Sequence, residues 1–100
     1  MSVSILDEFS AAHVAELFRS FSDTSRVRIM SALLSGEKNV GALADMVDIS
    51  ESAVSHHMRG LRQMRLVVAR KDGKEVYYRV DDSHIIKLFK QGVAHVTTEE

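Results

Sequence analysis

Residues 40–80 read VGALADMVDISESAVSHHMRGLRQMRLVVARKDGKEVYYRV, and the order of hydrophobic periods in this stretch decides the architecture. Val40 to Val47 is a short helix with Leu43, Met46 and Val47 as its apolar residues. Asp48-Ile49-Ser50 interrupts it as a tight turn, and the Ser50 hydroxyl suits the N-cap of a longer helix. That helix, from Glu51 to about Met64, places Val54, Met58 and Leu61 at i, i+4 and i+7, one buried helical stripe. Ser52, Ser55, His56 and Arg59 fall on the other faces, all polar or cationic. Leu66 to Lys71 and Glu75 to Val80 then read as two strands. Asp72-Gly73 joins them, with glycine supplying the positive φ that a tight hairpin requires.

Working outward, Phe9, Val14, Leu17, Phe18 and Phe21 recur at helical spacing and predict a first helix from about Leu6 to Phe21. Ser22-Asp23-Thr24 offers capping side chains for a second, from Arg26 to Leu34, with Val27, Met30 and Leu33-Leu34 on one face and Gly36 to end it. A last helix starts near Asp82 or Ser83 and runs to Val96 or beyond. The expected fold is mainly α with a small β-hairpin. Short helix, tight turn, longer helix and hairpin is the order of a winged helix-turn-helix, with residues 1–100 forming one such domain.

Composition agrees with a folded chain: 45% of the 100 residues are hydrophobic and 27% charged. The absence of cysteine removes disulfides, thiolate metal sites and thiol redox chemistry together. No apolar run approaches the roughly 20 residues of a membrane span. Asp7, Glu8 and Glu16 make the first residues too acidic for a signal peptide, so the expected compartment is the cytoplasm, with no membrane partner. No Gly-rich phosphate loop, cysteine nucleophile or serine elbow speaks for an enzyme.

The net charge of −1 is unevenly spread. Residues 51–80 hold Arg59, Arg62, Arg65, Arg70, Lys71, Lys74 and Arg79 against Glu51, Asp72 and Glu75, while both flanks are acidic. A basic block inside an acidic chain points to a polyanion for that block alone. Double-stranded operator DNA is the expected partner, with the helix at about 51–64 entering a major groove about 12 Å wide. Ser52, Ser55, His56 and Arg59 then face DNA, and Arg70, Lys71 and Lys74 of the wing at about 66–80 reach phosphate. His57 is expected to pack against neighbouring structure and His13 to lie on the surface.

The segments Val40-Gly41-Ala42-Leu43-Ala44, Ser50 to Arg62, Leu66-Val67 and Arg70 to Tyr78 closely resemble the ArsR/SmtB family of metal-responsive repressors. Leu17-Phe18 and Asp23 to Arg28 fit the same pattern, and the similarity runs from about Ala15 to Glu99. The resemblance implies a homodimeric repressor whose first and last helices, about 6–21 and 83–98, form the dimer interface, and whose operator affinity falls when a metal or other inducer binds. The cysteine-bearing stretch of many members is Glu37-Lys38-Asn39-Val40 here, and the aspartate often found soon after it is Ala42, so thiolate sensing of arsenite or antimony is excluded.

The zinc-sensing branch carries Asp-x-His, ten residues, His, and a Glu or His three further on. This chain has Asp82-Ser83-His84 and His95, but Thr98 at the fourth position with Glu99 beside it. Eleven residues is three helical turns, so His84 and His95 share a face about 16 Å apart, too far for one ion. Antiparallel pairing of two copies brings His84 of one protomer opposite His95 of the other. Asp82, His84, His95 and Glu99, the last only if the helix continues to it, then form a nitrogen and oxygen site suited to Zn(II), with Co(II) or Ni(II) as alternatives. Two other readings stay open: a family member sensing a non-metal signal, and a winged helix serving protein interaction.

Overall fold

Carboxylate, amide and hydroxyl side chains start the helices in the computed structural model, which describes residues 4–98. Asp7 caps α1 (Glu8–Arg19) by accepting from the Ser10 N–H at 2.8 Å. Asp23 caps α2 (Thr24–Leu33) through the N–H groups of Ser25 and Arg26, so this helix starts two residues before the expected Arg26. Asn39 caps α3 (Val40–Val47), Ser50 caps α4 (Glu51–Gln63) and Asp82 caps α5 (Ser83–Thr97). Each cap satisfies a donor that helix geometry leaves without an internal partner.

The sheet has three strands rather than the expected two. Lys38–Asn39 forms β1, which pairs antiparallel with β3 (Glu75–Arg79), and β3 pairs with β2 (Val68–Asp72) to give the order β1-β3-β2. Lys38 lies opposite Tyr78 and Asn39 opposite Tyr77. A strand this short has no alternation of its own to read; the edge of β3 creates it. The hairpin loop is Gly73-Lys74, with Asp72 paired to Glu75 and Gly73 at φ 64, the left-handed conformation glycine tolerates. Leu66 and Val67, expected in the first strand, instead precede it and enter the core.

That core is closed by the middle of the chain. Ile29, Met30, Leu43, Val54, Met58 and Leu61 are fully buried, so the expected stripe of α4 holds in all three positions. Two expectations shift: Ile29 rather than Val27 leads the buried face of α2, and Met46 of α3 is half exposed while Ala44 is buried. α4 stops in a Schellman turn, in which the Leu66 N–H donates to the Leu61 carbonyl and the Arg65 N–H to that of Arg62. Arg65 adopts φ 59 there, a conformation that costs a side-chain-bearing residue about 1–2 kcal/mol.

The outer helices differ. α1 buries no residue in the single chain, and α5 buries only Phe89. Phe9 is 74% exposed, Phe18 53% and Val96 77%. Among the described residues, no helix is long and apolar enough to cross a membrane.

Candidate nucleic-acid interface and metal-ligand face

With Val54, Met58 and Leu61 turned into the core, Ser52, Ser55, His56 and Arg59 are all exposed on α4. Ser55 and Arg59 join Arg62, Gln63 and Tyr78 around an open groove between α4 and the sheet. Arg62 and Gln63 were not among the expected contacts. The signal was available, since Arg62 lies three residues beyond Arg59 and on the same side of the helix as Ser55. A second polar groove, lined by Asn39, Glu51, Ser55, Lys74 and Glu75 among others, separates the first turns of α3 and α4 from the wing.

The three wing cations are not equivalent. Lys71 and Lys74 are exposed and form no ion pair among the described residues. Arg70 is held by Glu37 in a two-pronged contact, Nε to Oε2 at 2.8 Å and a terminal nitrogen to Oε1 at 2.7 Å. Its guanidinium also lies 4.5 Å from the centre of the Tyr77 ring, directly across the strand pair. The Arg70 hydrogen bond holds the Glu37 carboxyl below its ordinary range, and Glu37 raises the guanidinium in return. Arg70 therefore ties β2 over β3 to the residue preceding β1.

Of the two adjacent histidines, His56 points out and His57 turns toward α2. The His57 Nδ1 accepts from the Arg26 Nε at 3.2 Å, so the expectation that it packs against neighbouring structure holds. His13 is exposed on α1, its ring bonded to the Phe9 carbonyl.

On α5, Asp82 and His84 are close together: the Asp82 Oδ1 accepts from the His84 backbone at 2.8 Å and lies 3.2 Å from its Nδ1. The backbone N–H of His84 is the main cause of a lowered Asp82 pKa, so the carboxylate is anionic well below neutral pH. All these contacts use Oδ1. An imidazole whose Nδ1–H is held by a carboxylate presents Nε2 as a free lone pair, the form in which histidine binds metal. His95 is exposed on the last turn of the same helix. Among the described residues no three His, Asp or Glu side chains converge on one point. The helix ends at Thr97; Thr98 is extended, and its hydroxyl bonds to the Ala94 carbonyl. Glu99 lies outside the described residues.

The model of the bacterial regulatory protein arsR family matches residues 23–68, from the cap of α2 to the start of the wing. The transcriptional repressor SmtB homolog of Synechocystis sp. is 44% identical over 86 residues, 86% of this chain and 65% of that protein. The cadmium resistance transcriptional regulatory protein CadC homolog of Staphylococcus aureus is 39% identical over 83 residues, 82% of this chain and 69% of that one. Both names describe transcriptional regulators rather than enzymes. The chain thus spans about two thirds of the length of these relatives. Among solved structures, the homodimeric winged helix-turn-helix DNA-binding domain of a possible ArsR-family regulator from Mycobacterium bovis superposes with a TM-score of 0.79 at 27% identity. It covers 98% of this chain and 94% of its own.

Proposed function

The chain belongs to the ArsR family of bacterial regulatory proteins, and from that premise we propose that it is a homodimeric operator-binding repressor released by Zn(II) or a similar transition ion. One observation carries the DNA-binding part: the polar face of α4, opposite its buried stripe, stands free beside a wing whose Lys71 and Lys74 are unpaired among the described residues. Ser52, Ser55, His56 and Arg59 read base edges or flanking phosphate, and Lys71 and Lys74 hold the backbone. Arg70 serves first as the strap of the wing and only secondarily as a phosphate contact.

The unpartnered apolar faces of α1 and α5 support self-association through these helices, as does the homodimeric relative of similar fold. Antiparallel approach of two α5 helices sets the Asp82 and His84 pair of one protomer toward the second protomer's copy of His95. The donor set fits a borderline cation: nitrogen and carboxylate oxygen, exposed, with His84 oriented by Asp82. When bound, the ion would tie the two last helices together, and Asp82, His84 and His95, completed by Glu99, Thr98 or water, would be the donors that hold it. A ligand that lowers DNA affinity must bind the free dimer more tightly than the DNA-bound one, by the same factor.

The test is Zn(II) titrated into protein bound to a duplex selected from a random pool by the wild-type protein, with and without EDTA. Release by Zn(II), reversal by EDTA, and loss of release in His84→Ala and His95→Ala with duplex binding intact are expected. Full release from His95→Ala would remove the metal site, and failure to select any duplex would remove the DNA reading.

A further inference from the structure

His57 sits where α4 meets the N-terminus of α2, its side chain only 14% exposed. Arginine can only donate, so the 3.2 Å contact from the Arg26 Nε requires a lone pair on the His57 Nδ1. The ring is therefore neutral with its proton on Nε2, the nitrogen that faces the Asp23 Oδ1 at 4.0 Å. Asp23 is itself fixed as the α2 cap. Three residues further along α4, the Arg26 guanidinium occupies the space above Gly60: a Cβ there would lie 2.6 Å from its nearest nitrogen. Residues 57 and 60 share one flank of α4, between the buried stripe and the exposed face of Ser52, His56 and Arg59. The head of α2 thus grips α4 at two points beside the DNA-facing surface.

We propose that His57 is a positioning residue for DNA binding: as a neutral acceptor for Arg26 it fixes the seating of α4 on α2, and its protonation releases that seating and weakens DNA binding. This rests on the DNA-binding role proposed for α4. An imidazolium has no lone pair for Arg26, so two cations would meet where one hydrogen bond stood, and the new charge would be drawn toward Asp23. Burial favours the neutral ring, lowering the His57 pKa. The Asp23 charge opposes this, and Arg26 and His56 reinforce it. Asp23 and Arg26 of α2 and His56 of α4 are the charged or titratable groups acting on the ring. Acid therefore works against the grip, while neutral and basic media preserve it.

The experiment compares wild type with His57→Asn, whose amide oxygen takes the place of Nδ1 and does not titrate. Binding of a fluorescein-labelled duplex, selected from a random pool by the wild-type protein, is measured between about pH 8 and about pH 4.5, because the His57 pKa is lowered. The two proteins should bind within about twofold at the basic end. On acidification the wild type should lose roughly fivefold or more relative to the variant, a typical coupling between sites. Other histidines titrate in both proteins, so only the difference between the two curves counts. Parallel curves would overturn the proposal. A second measurement needs no DNA: the ring ¹⁵N shifts of His57 at neutral pH should show a bare Nδ1 and a protonated Nε2, and the opposite tautomer would also overturn it. Failure of the wild type to select any duplex would refute the DNA-binding reading itself, a result separable from parallel curves.

Discussion

α4 carries Val54, Met58 and Leu61 at helical spacing and buries all three; α1 carries Phe9, Val14, Leu17 and Phe18 at similar spacing and buries none. An amphipathic period states that a face needs covering, and it is silent on what covers it. For α4 the cover lies in the same chain, on α2, α3 and the segment leading into the sheet. On α1 Leu17 packs against that core, while Phe9, Val14 and Phe18 stay exposed, as do Val93 and Val96 of α5. Phe18 of α1 meets Val93 and Val96 of α5 around one open apolar groove, the kind of surface that suits an interaction face. The middle of the molecule is a closed body, and its two outer helices leave large apolar side chains in the open.

The largest expected effect falls on the closed body. Met58→Ala should cost about 2–5 kcal/mol in urea unfolding, because a fully buried side chain leaves a cavity that the core only partly fills. An equal loss for Phe9→Ala at concentrations low enough to keep protomers apart would erase the contrast. Next comes the interaction face. Wild-type protein at micromolar concentration should sediment at about twice 11.2 kDa, and a Phe9→Asp, Val96→Asp variant at about that mass, still folded. Survival of the larger species in the variant would place the interface elsewhere.

A third, smaller effect has the opposite sign. Arg65→Gly should stabilise by up to about 1 kcal/mol, relieving the left-handed backbone that ends α4. Lys71→Ala should leave stability unchanged while lowering the slope of log affinity against log salt by about one, as expected for one phosphate contact. The smallest effect concerns pH. Asp7 of α1 and Asp82 of α5 have lowered pKa values through the backbone N–H groups they cap. Their contribution is complete above the unfolded value near 3.8 and fades as pH falls through the lower folded values. Loss of outer-helix structure near neutral pH would contradict that assignment. His57 acts in a different window: its lowered pKa means its contribution is intact above the ordinary histidine value of 6.5 and declines below it.

The order of elements and the stripe of α4 were legible in the sequence because periodicity and caps are local properties, each complete within a few residues. The exposed face of α4 came from the stripe by subtraction. β1 was illegible because Lys38-Asn39 becomes a strand only through a partner nearly forty residues away. The same distance hid the fate of Arg70, whose cationic side chain reads as a phosphate contact until Glu37, 33 positions earlier, is brought beneath it. Arg26 and His57 are separated by 31 positions and were hidden for the same reason. On α5 the pairing of Asp82 with His84 came from the family resemblance, His95 stays three turns away within one protomer, and Glu99 lies outside the described residues.

Asn39 has a dual position. Its backbone belongs to β1, opposite Tyr77, while its side chain accepts from the Ala42 N–H at 2.8 Å as the cap of α3. Sheet and helix-turn-helix therefore share a residue, leaving no free joint at which the wing could swing against the helices. With Arg70 strapped to Glu37 two positions before Asn39, the wing is tied to the head of α3 at two neighbouring points. A signal that weakened the hold on DNA would then act on the seating of α4 or on the placement of the whole domain rather than fold the wing away.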